Sequence, residues 1–340
     1  MINKIYRLSS PKFFKEFFVE EDISNKVVIR PSHLSICQAD QRYYQGKRPA
    51  SILNQKLPMA LIHEAVGEVV YDDTGNFSAN DKVVMIPNTP VESDDVICEN
   101  YLRSSRFRSS GFDGFMSEYV IMDLDRVVKL PDNLDLNVGS FIELISVSVH
   151  AIDRFKMFSH ERKDKIGVWG DGSLGYITSL LLKTIFPKSE VYIFGVNYEK
   201  LGLFSFTDKS FKVDEVPEDL RIDHAFECVG GNKSQDAINQ IIDLINPQGS
   251  ISILGVSEYN IPINTRMVLE KGLNIFGSSR SGRSDFEKTV SLLDENPNLT
   301  SYLENLITNK LTIHSLTDFN DAFDLDANSR FGKTVISWEI

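Results

Sequence analysis

The sequence predicts an α/β protein of two domains, one a barrel-like fold of short antiparallel strands and the other a doubly wound parallel sheet. Three observations carry this. Strand and helix patterns alternate from Ile166 onward, which implies parallel strands with helices on both faces. Short apolar runs broken by glycine and proline fill roughly residues 20–135, with few helices, as in a small antiparallel barrel. At 340 residues the chain is also too long for one ordinary core. The boundaries read as 1–147 with 296–340 for the barrel domain, and 148–295 for the parallel sheet.

In the barrel domain, Lys26–Arg30 and Lys82–Ile86 read as strands, the second ended by Pro87. LIHEAVGEVVY enters another strand, with Gly67 marking a bend. Met1–Phe18 shows little regular period. Residues 88–118 carry charge, serine and glycine, and a loop this long is expected to be functional. The parallel sheet takes its strands from Ile166–Trp169, Val191–Phe194, Asp223–Cys228, Ser250–Leu254 and Asn274–Phe276, with Ser284–Leu293 as its last helix. Lys333–Trp338 is expected to return to the barrel domain.

The run KIGVWGDGSLGYITSLLLKTIF (165–186) places Gly170, Gly172 and Gly175 as G-x-G-x-x-G between a strand and a helix. Gly170 permits a tight turn, Gly172 lets the backbone approach a pyrophosphate, and Gly175 lets helix and strand pack closely. With VYIF (191–194) as the next strand, one dinucleotide-binding βαβ unit fits. An NAD-selective site puts an acid about 20 residues beyond the glycines, on the ribose 2′-hydroxyl. Gly195 stands there instead, with Asn197 and Lys200 close by, so a 2′-phosphate is tolerated and NADPH is expected.

Formal charge is −12, from 36 basic and 48 acidic residues, which argues against a nucleic-acid or anionic-membrane surface. No long apolar span and no leader pattern is visible, and the three cysteines are too few and too scattered for a disulfide framework. A cytoplasmic location is expected.

Cys37, His63, Glu64 and Glu143 offer the thiolate, imidazole and carboxylate that zinc takes, and a catalytic zinc needs about three protein ligands. The spacing is long. Each residue alone could equally be a buried small hydrophobe, a core histidine or a surface charge.

The series SICQAD (35–40), IHEAVGEVV (62–70), DGFMSEYV (113–120), ELISVSVHA (143–151), GDGSLG (170–175), FECVGG (226–231) and GSISILG (249–255) resembles the medium-chain zinc alcohol dehydrogenases. That resemblance implies a GroES-like catalytic domain, a Rossmann domain, and substrate in the cleft between them. It implies Cys37 and His63 as zinc ligands, Glu64 as the adjacent acid, Glu143 as the glutamate of the polyol-dehydrogenase branch, and Asp40 as an acid orienting a ligand. It also brings Ser173, Leu174, Cys228, Val229 and Gly255 to the cofactor. Two departures matter. Where relatives carry four cysteines for a structural zinc, only Cys98 is present, so one catalytic ion is expected. Ala39 stands where a serine or threonine commonly relays a proton, which leaves zinc-bound water as the preferred donor, with Glu64 or a substrate hydroxyl as alternatives.

PMALIHEAVGEVV (58–70), MIPNTP (85–90), NYLRSSRFRSSGFDGFM (100–116) and NTRMVLEKGLNIFGSSRSG (264–282) resemble, more closely, the ribulose-5-phosphate reductases of teichoic acid and capsule synthesis. The resemblance implies NADPH-dependent reduction of D-ribulose 5-phosphate to D-ribitol 5-phosphate. It further implies a homodimer and a cytidylyltransferase that consumes the product as a possible partner. Arg42, Lys47, Arg103 and Arg108 are candidates for the substrate phosphate, with Arg48 and Arg106 in the same two loops, and Arg280 and Arg283 after the last strand as alternatives for either phosphate or a dimer surface. A sorbitol- or xylitol-type dehydrogenase and a non-catalytic NADPH-binding protein are the rival readings.

Overall fold

In the computed structural model, which describes residues 1–340, the chain forms two units, Met1–Ser146 with Ser281–Ile340, and Val147–Arg280. The strand Val27–Ser35 is the hub of the first. It pairs antiparallel with Glu64–Asp72, with Val120–Met122 and with the C-terminal strand Lys333–Trp338, inside a seven-stranded sheet. Its apolar residues Val27, Ile29 and Leu34 are fully buried, which fixes the register, since a slip of one residue would turn that row to solvent. The register sets Ser35 opposite both Glu64 and Val335. Three segments distant in sequence therefore meet just before Cys37.

Against this sheet, Ile2–Ser10 and Phe13–Glu20 form an antiparallel hairpin where the sequence shows no period. Its second strand exposes Phe13 and Phe18 while burying Phe14, so apolar residues stand on both faces and the alternation is blurred. Tyr6, Phe14, Phe319 and Trp338 then pack edge-on or stacked, with ring centroids 5.3–5.6 Å apart, and tie hairpin, C-terminal helix and last strand into one core.

Residues 88–118 hold little regular structure beyond the short pair Asn88–Thr89 and Arg106–Phe107 and a turn of helix at Glu99–Tyr101. Its anchor is ionic. The Glu99 carboxylate accepts two bonds from the buried Arg126 guanidinium, at 2.8 and 3.1 Å, and one from the Arg283 backbone N–H at 2.7 Å. The same contacts correct the domain boundary at 295. Helix Arg283–Glu295 belongs to the first unit, because Arg283 also donates to the carbonyls of Leu124 and Val127. Arg283 is thereby committed to internal contacts.

The second unit is a six-stranded parallel sheet. Its order is Lys209–Lys212, Glu190–Gly195, Lys165–Trp169, His224–Glu227, Ser250–Ile253, Asn274–Gly277. The chain runs outward from Lys165–Trp169 in one direction, then returns and runs outward in the other. The switch point falls between Lys165–Trp169 and His224–Glu227, where such sheets open a crevice at their carboxyl ends. No helix of the chain is long and apolar enough to cross a membrane.

Candidate active site

Cys37 precedes the helix Gln38–Tyr44, and the third helical residue, Asp40, turns back to accept the Cys37 N–H at 3.1 Å. The other Asp40 oxygen accepts the Ile62 N–H at 3.0 Å and the Ser109 hydroxyl at 2.5 Å, and lies 3.6 Å from His63 Nδ1. One fully buried carboxylate thus fastens the segments that carry Cys37, His63 and the serine-rich loop. Ile62 holds φ at +65°, a left-handed conformation that a β-branched residue adopts only at a cost of about 1–3 kcal/mol. The Asp40 bond on one side of Ile62 and the Phe115 N–H on its carbonyl, at 2.8 Å, hold it there. His63 is turned inward as a result.

The ligand atoms of Cys37, Asp40 and His63 lie within 4.8 Å of one another, and so do those of His63, Glu64 and Glu143. Burial of this anion-rich group has visible electrostatic consequences. Burial and the neighbouring Glu64 push the Glu143 carboxyl up to about 7, against the lowering effect of His63 and Lys333. Burial alone would lower the His63 pKa, but Asp40 and the Cys37 sulfur outweigh it and hold the imidazole well above its ordinary value. His63 Nδ1 is buried without a hydrogen-bond partner. A sulfur, an imidazole and carboxylates crowded around an unsatisfied nitrogen fit a divalent cation. Tetrahedral zinc with bonds of about 2.0–2.3 Å sets its ligand atoms roughly 3.3–3.8 Å apart, inside the 4.8 Å within which each group falls.

Glu64 and Glu143 are not equivalent. Lys333, buried on the C-terminal strand, places Nζ 2.9 Å from one Glu64 oxygen and 2.8 Å from the other, and also donates to the Ile36 carbonyl at 2.9 Å. Nothing in the sequence singles out Lys333. A lysine opening an apolar strand looks like a solvated end residue, and its partner is 269 positions away.

Arg108 does not join this cluster. Its guanidinium donates to the carbonyls of Asp113 and Ile121 and lines a separate cavity of about 310 Å³, whose walls include none of Cys37, His63, Glu64 and Glu143. Ser109 reaches Asp40 from a left-handed turn, φ +59°, that follows the short strand Arg106–Phe107. Arg42 lies in the helix after Cys37, half-buried, while Lys47 and Arg103 are exposed.

In the second unit, Gly170 adopts φ +125° and a Cβ there would meet the Cys228 backbone at 2.9 Å. A Cβ on Gly175 would stand 1.8 Å from the Gly170 carbonyl, whereas one on Gly172 would meet nothing within 4 Å. The helix Ser173–Ile185 therefore packs tightly while its start faces open space, with no side chain capping it. That is the cradle a pyrophosphate fits. Gly170, Gly172, Gly195, Cys228 and Val229 line a cavity of about 590 Å³ together with Asp171, Val196 and Lys233. Ser173, Leu174, Gly175, Asn197, Lys200 and Gly255 are not among its lining residues. Burial pushes the Cys228 thiol far up, and its sulfur faces Thr178, so it is an inert wall. Glu227, fully buried at the end of its strand, accepts the N–H groups of Val229, Gly230 and Gly255 at 2.9–3.1 Å and joins the two loops beside that wall. A charged residue ending an apolar strand before two glycines was the available signal.

A Cys–His–Glu cluster on an antiparallel barrel, with a doubly wound sheet carrying a glycine-rich turn, defines a zinc-type medium-chain alcohol dehydrogenase. Residues 24–132 match the alcohol dehydrogenase GroES-like domain and residues 136–337 the glucose dehydrogenase C-terminus. The chain is 53% identical to the ribulose-5-phosphate reductase of Bacillus spizizenii, with the whole of both chains aligned. It is 52% identical to ribulose-5-phosphate reductase 1 of Staphylococcus aureus, over 99% of each. The crystal structure of S. aureus TarJ in complex with NADPH superimposes with a TM-score of 0.91 at 47% identity, covering both chains fully. The chain belongs to the ribulose-5-phosphate reductases, oxidoreductases of the zinc-type medium-chain dehydrogenase superfamily.

Proposed function

We propose that this chain reduces D-ribulose 5-phosphate to D-ribitol 5-phosphate with NADPH. The observation that carries the reading is full-length identity above 50% to ribulose-5-phosphate reductases. Cys37 and Glu143 support it, each within 4.8 Å of His63 in one of two overlapping groups of ligand atoms. Zinc held by these three residues would supply Lewis acidity at the C2 carbonyl, and NADPH the hydride. Glu143 is the carboxylate ligand in this reading, because Glu64 carries the buried ion pair with Lys333, which hydrogen-bonds one of its oxygens. Asp40 keeps His63 oriented, and Lys333 neutralises the charge of Glu64. Gly170, Gly172 and the start of helix Ser173–Ile185 hold the pyrophosphate. Ala39 has no proton to relay, so a substrate hydroxyl or solvent delivers it. Arg42, Lys47 and Arg103 are the cations proposed for the substrate phosphate. A cytoplasmic homodimer supplying a cytidylyltransferase for teichoic acid synthesis completes the proposal.

The test is NADPH consumption with D-ribulose 5-phosphate beside D-ribulose. Loss of two or more charge-assisted phosphate bonds should lower kcat/KM for the free sugar by about 10²–10³-fold. Equal rates would instead assign a non-phosphorylated polyol. No consumption of NADPH by zinc-loaded protein would assign a non-catalytic binder.

A further inference from the structure

The residue between the first two glycines of the dinucleotide turn is an aspartate, and its carboxylate points into the end of the second strand. Asp171 Oδ2 accepts two backbone N–H groups, Val196 at 2.9 Å and Asn197 at 3.0 Å. Its other oxygen lies 4.0 Å from Lys200 Nζ. A Cβ added to Gly195 would stand 2.7 Å from Asp171 Cβ and 2.8 Å from Oδ2. So Gly195 is required by the space that Asp171 fills. An acid is present beside the position of the ribose-binding carboxylate, but it comes from the glycine turn and faces the backbone.

We propose that Asp171 is a positioning residue for the cofactor 2′-phosphate, acting through the Val196–Asn197 turn on Lys200. The chain of contacts is short. With both N–H groups of the turn committed to Asp171, Asn197 is set to begin the next helical turn, Tyr198–Leu201, and its side chain accepts the Lys200 N–H at 3.2 Å. Lys200 is thereby placed on the first turn after the strand. There its ammonium lies 4.0 Å from Asp171, which lines the cavity beside the glycine turn, and in this proposal it reaches from outside that lining toward the ribose 2′ substituent of a bound dinucleotide. Two backbone donors and one lysine offset the negative charge of Asp171, so the acid organises the subsite without opposing a phosphate. The inference rests on the NADPH reading above and names the device that enforces it.

The test measures dissociation constants of NADPH and NADH by nucleotide fluorescence for the full chain and for Asp171→Asn, Lys200→Met and the double variant. Wild type should prefer NADPH. Each single variant should lower that preference by about tenfold, as expected for one charged hydrogen bond, with NADH affinity little changed. The double variant should match Lys200→Met, because Asp171 acts through Lys200. Equal weakening of both nucleotides by Asp171→Asn would reduce Asp171 to a brace of the turn. Tighter NADPH binding would make it a repulsive acid. Additive losses in the double variant would separate it from Lys200. Each of these overturns the proposal. Should Asp171→Asn not fold, Lys200→Met still decides: an unchanged preference contradicts the mechanism. A wild-type chain without preference for NADPH overturns the cofactor reading itself, and the proposal with it.

Discussion

Cys37→Ser is expected to lower bound zinc well below one ion per chain and turnover by at least about 100-fold, since residues that merely support a metal ligand are already worth about 10–100-fold. The sulfur is the one soft donor in the cluster, and it lies within 4.8 Å of the His63 and Asp40 ligand atoms. A serine oxygen at the same place is a poor zinc ligand at neutral pH. The glycine turn and its cavity are built from residues 169–240 alone, so NADPH affinity should be retained. Metal analysis and nucleotide titration on the same preparation check both halves. Full activity in the variant would exclude Cys37 from the centre, and loss of NADPH binding would show a folding defect instead.

The second large effect lies at Lys333. Replacing it with methionine leaves the fully buried Glu64 carboxylate without its ammonium, and breaking a buried pair this way costs about 3–5 kcal/mol. The lysine pKa records the coupling: burial lowers it, yet the charges of Glu64 and Cys37 outweigh that and raise it above the ordinary value. Denaturant melts of chelator-treated protein measure the loss. Glu64→Gln combined with Lys333→Met should recover most of it, because the uncompensated charge is then gone. A change below about 1 kcal/mol in the single variant would place the pair among weak surface-like contacts.

These two residues mark what the sequence makes legible. Cys37, His63, Glu64 and Glu143 stand out because their side chains are the metal-binding kinds, set in recognisable motifs. The three glycines stand out by their spacing, and at Gly170 and Gly175 only glycine fits the turn. Lys333 and Asp171 have no such mark. A lysine before an apolar run and an aspartate in a variable position read as solvated charges until strand register and the fold of the turn bring partners to them. The orientation of Arg108 is hidden for a related reason. The sequence shows a cation, but the carbonyls of Asp113 and Ile121 that hold it are brought to it by the fold of the loop. The N-terminal hairpin escapes because aromatic residues occupy both faces, and helix Arg283–Glu295 is misassigned because its binding to Glu99 joins positions 184 apart.

The central claim is a single zinc ion held by one sulfur, one imidazole and a carboxylate. X-ray absorption at the zinc edge, with metal content measured on the same sample, tests it most directly. The account predicts one zinc per chain with one sulfur neighbour and the remaining ligands nitrogen or oxygen, and loss of the sulfur scattering in Cys37→Ser. Zinc surrounded mainly by sulfur, or an unaltered spectrum in that variant, would contradict it.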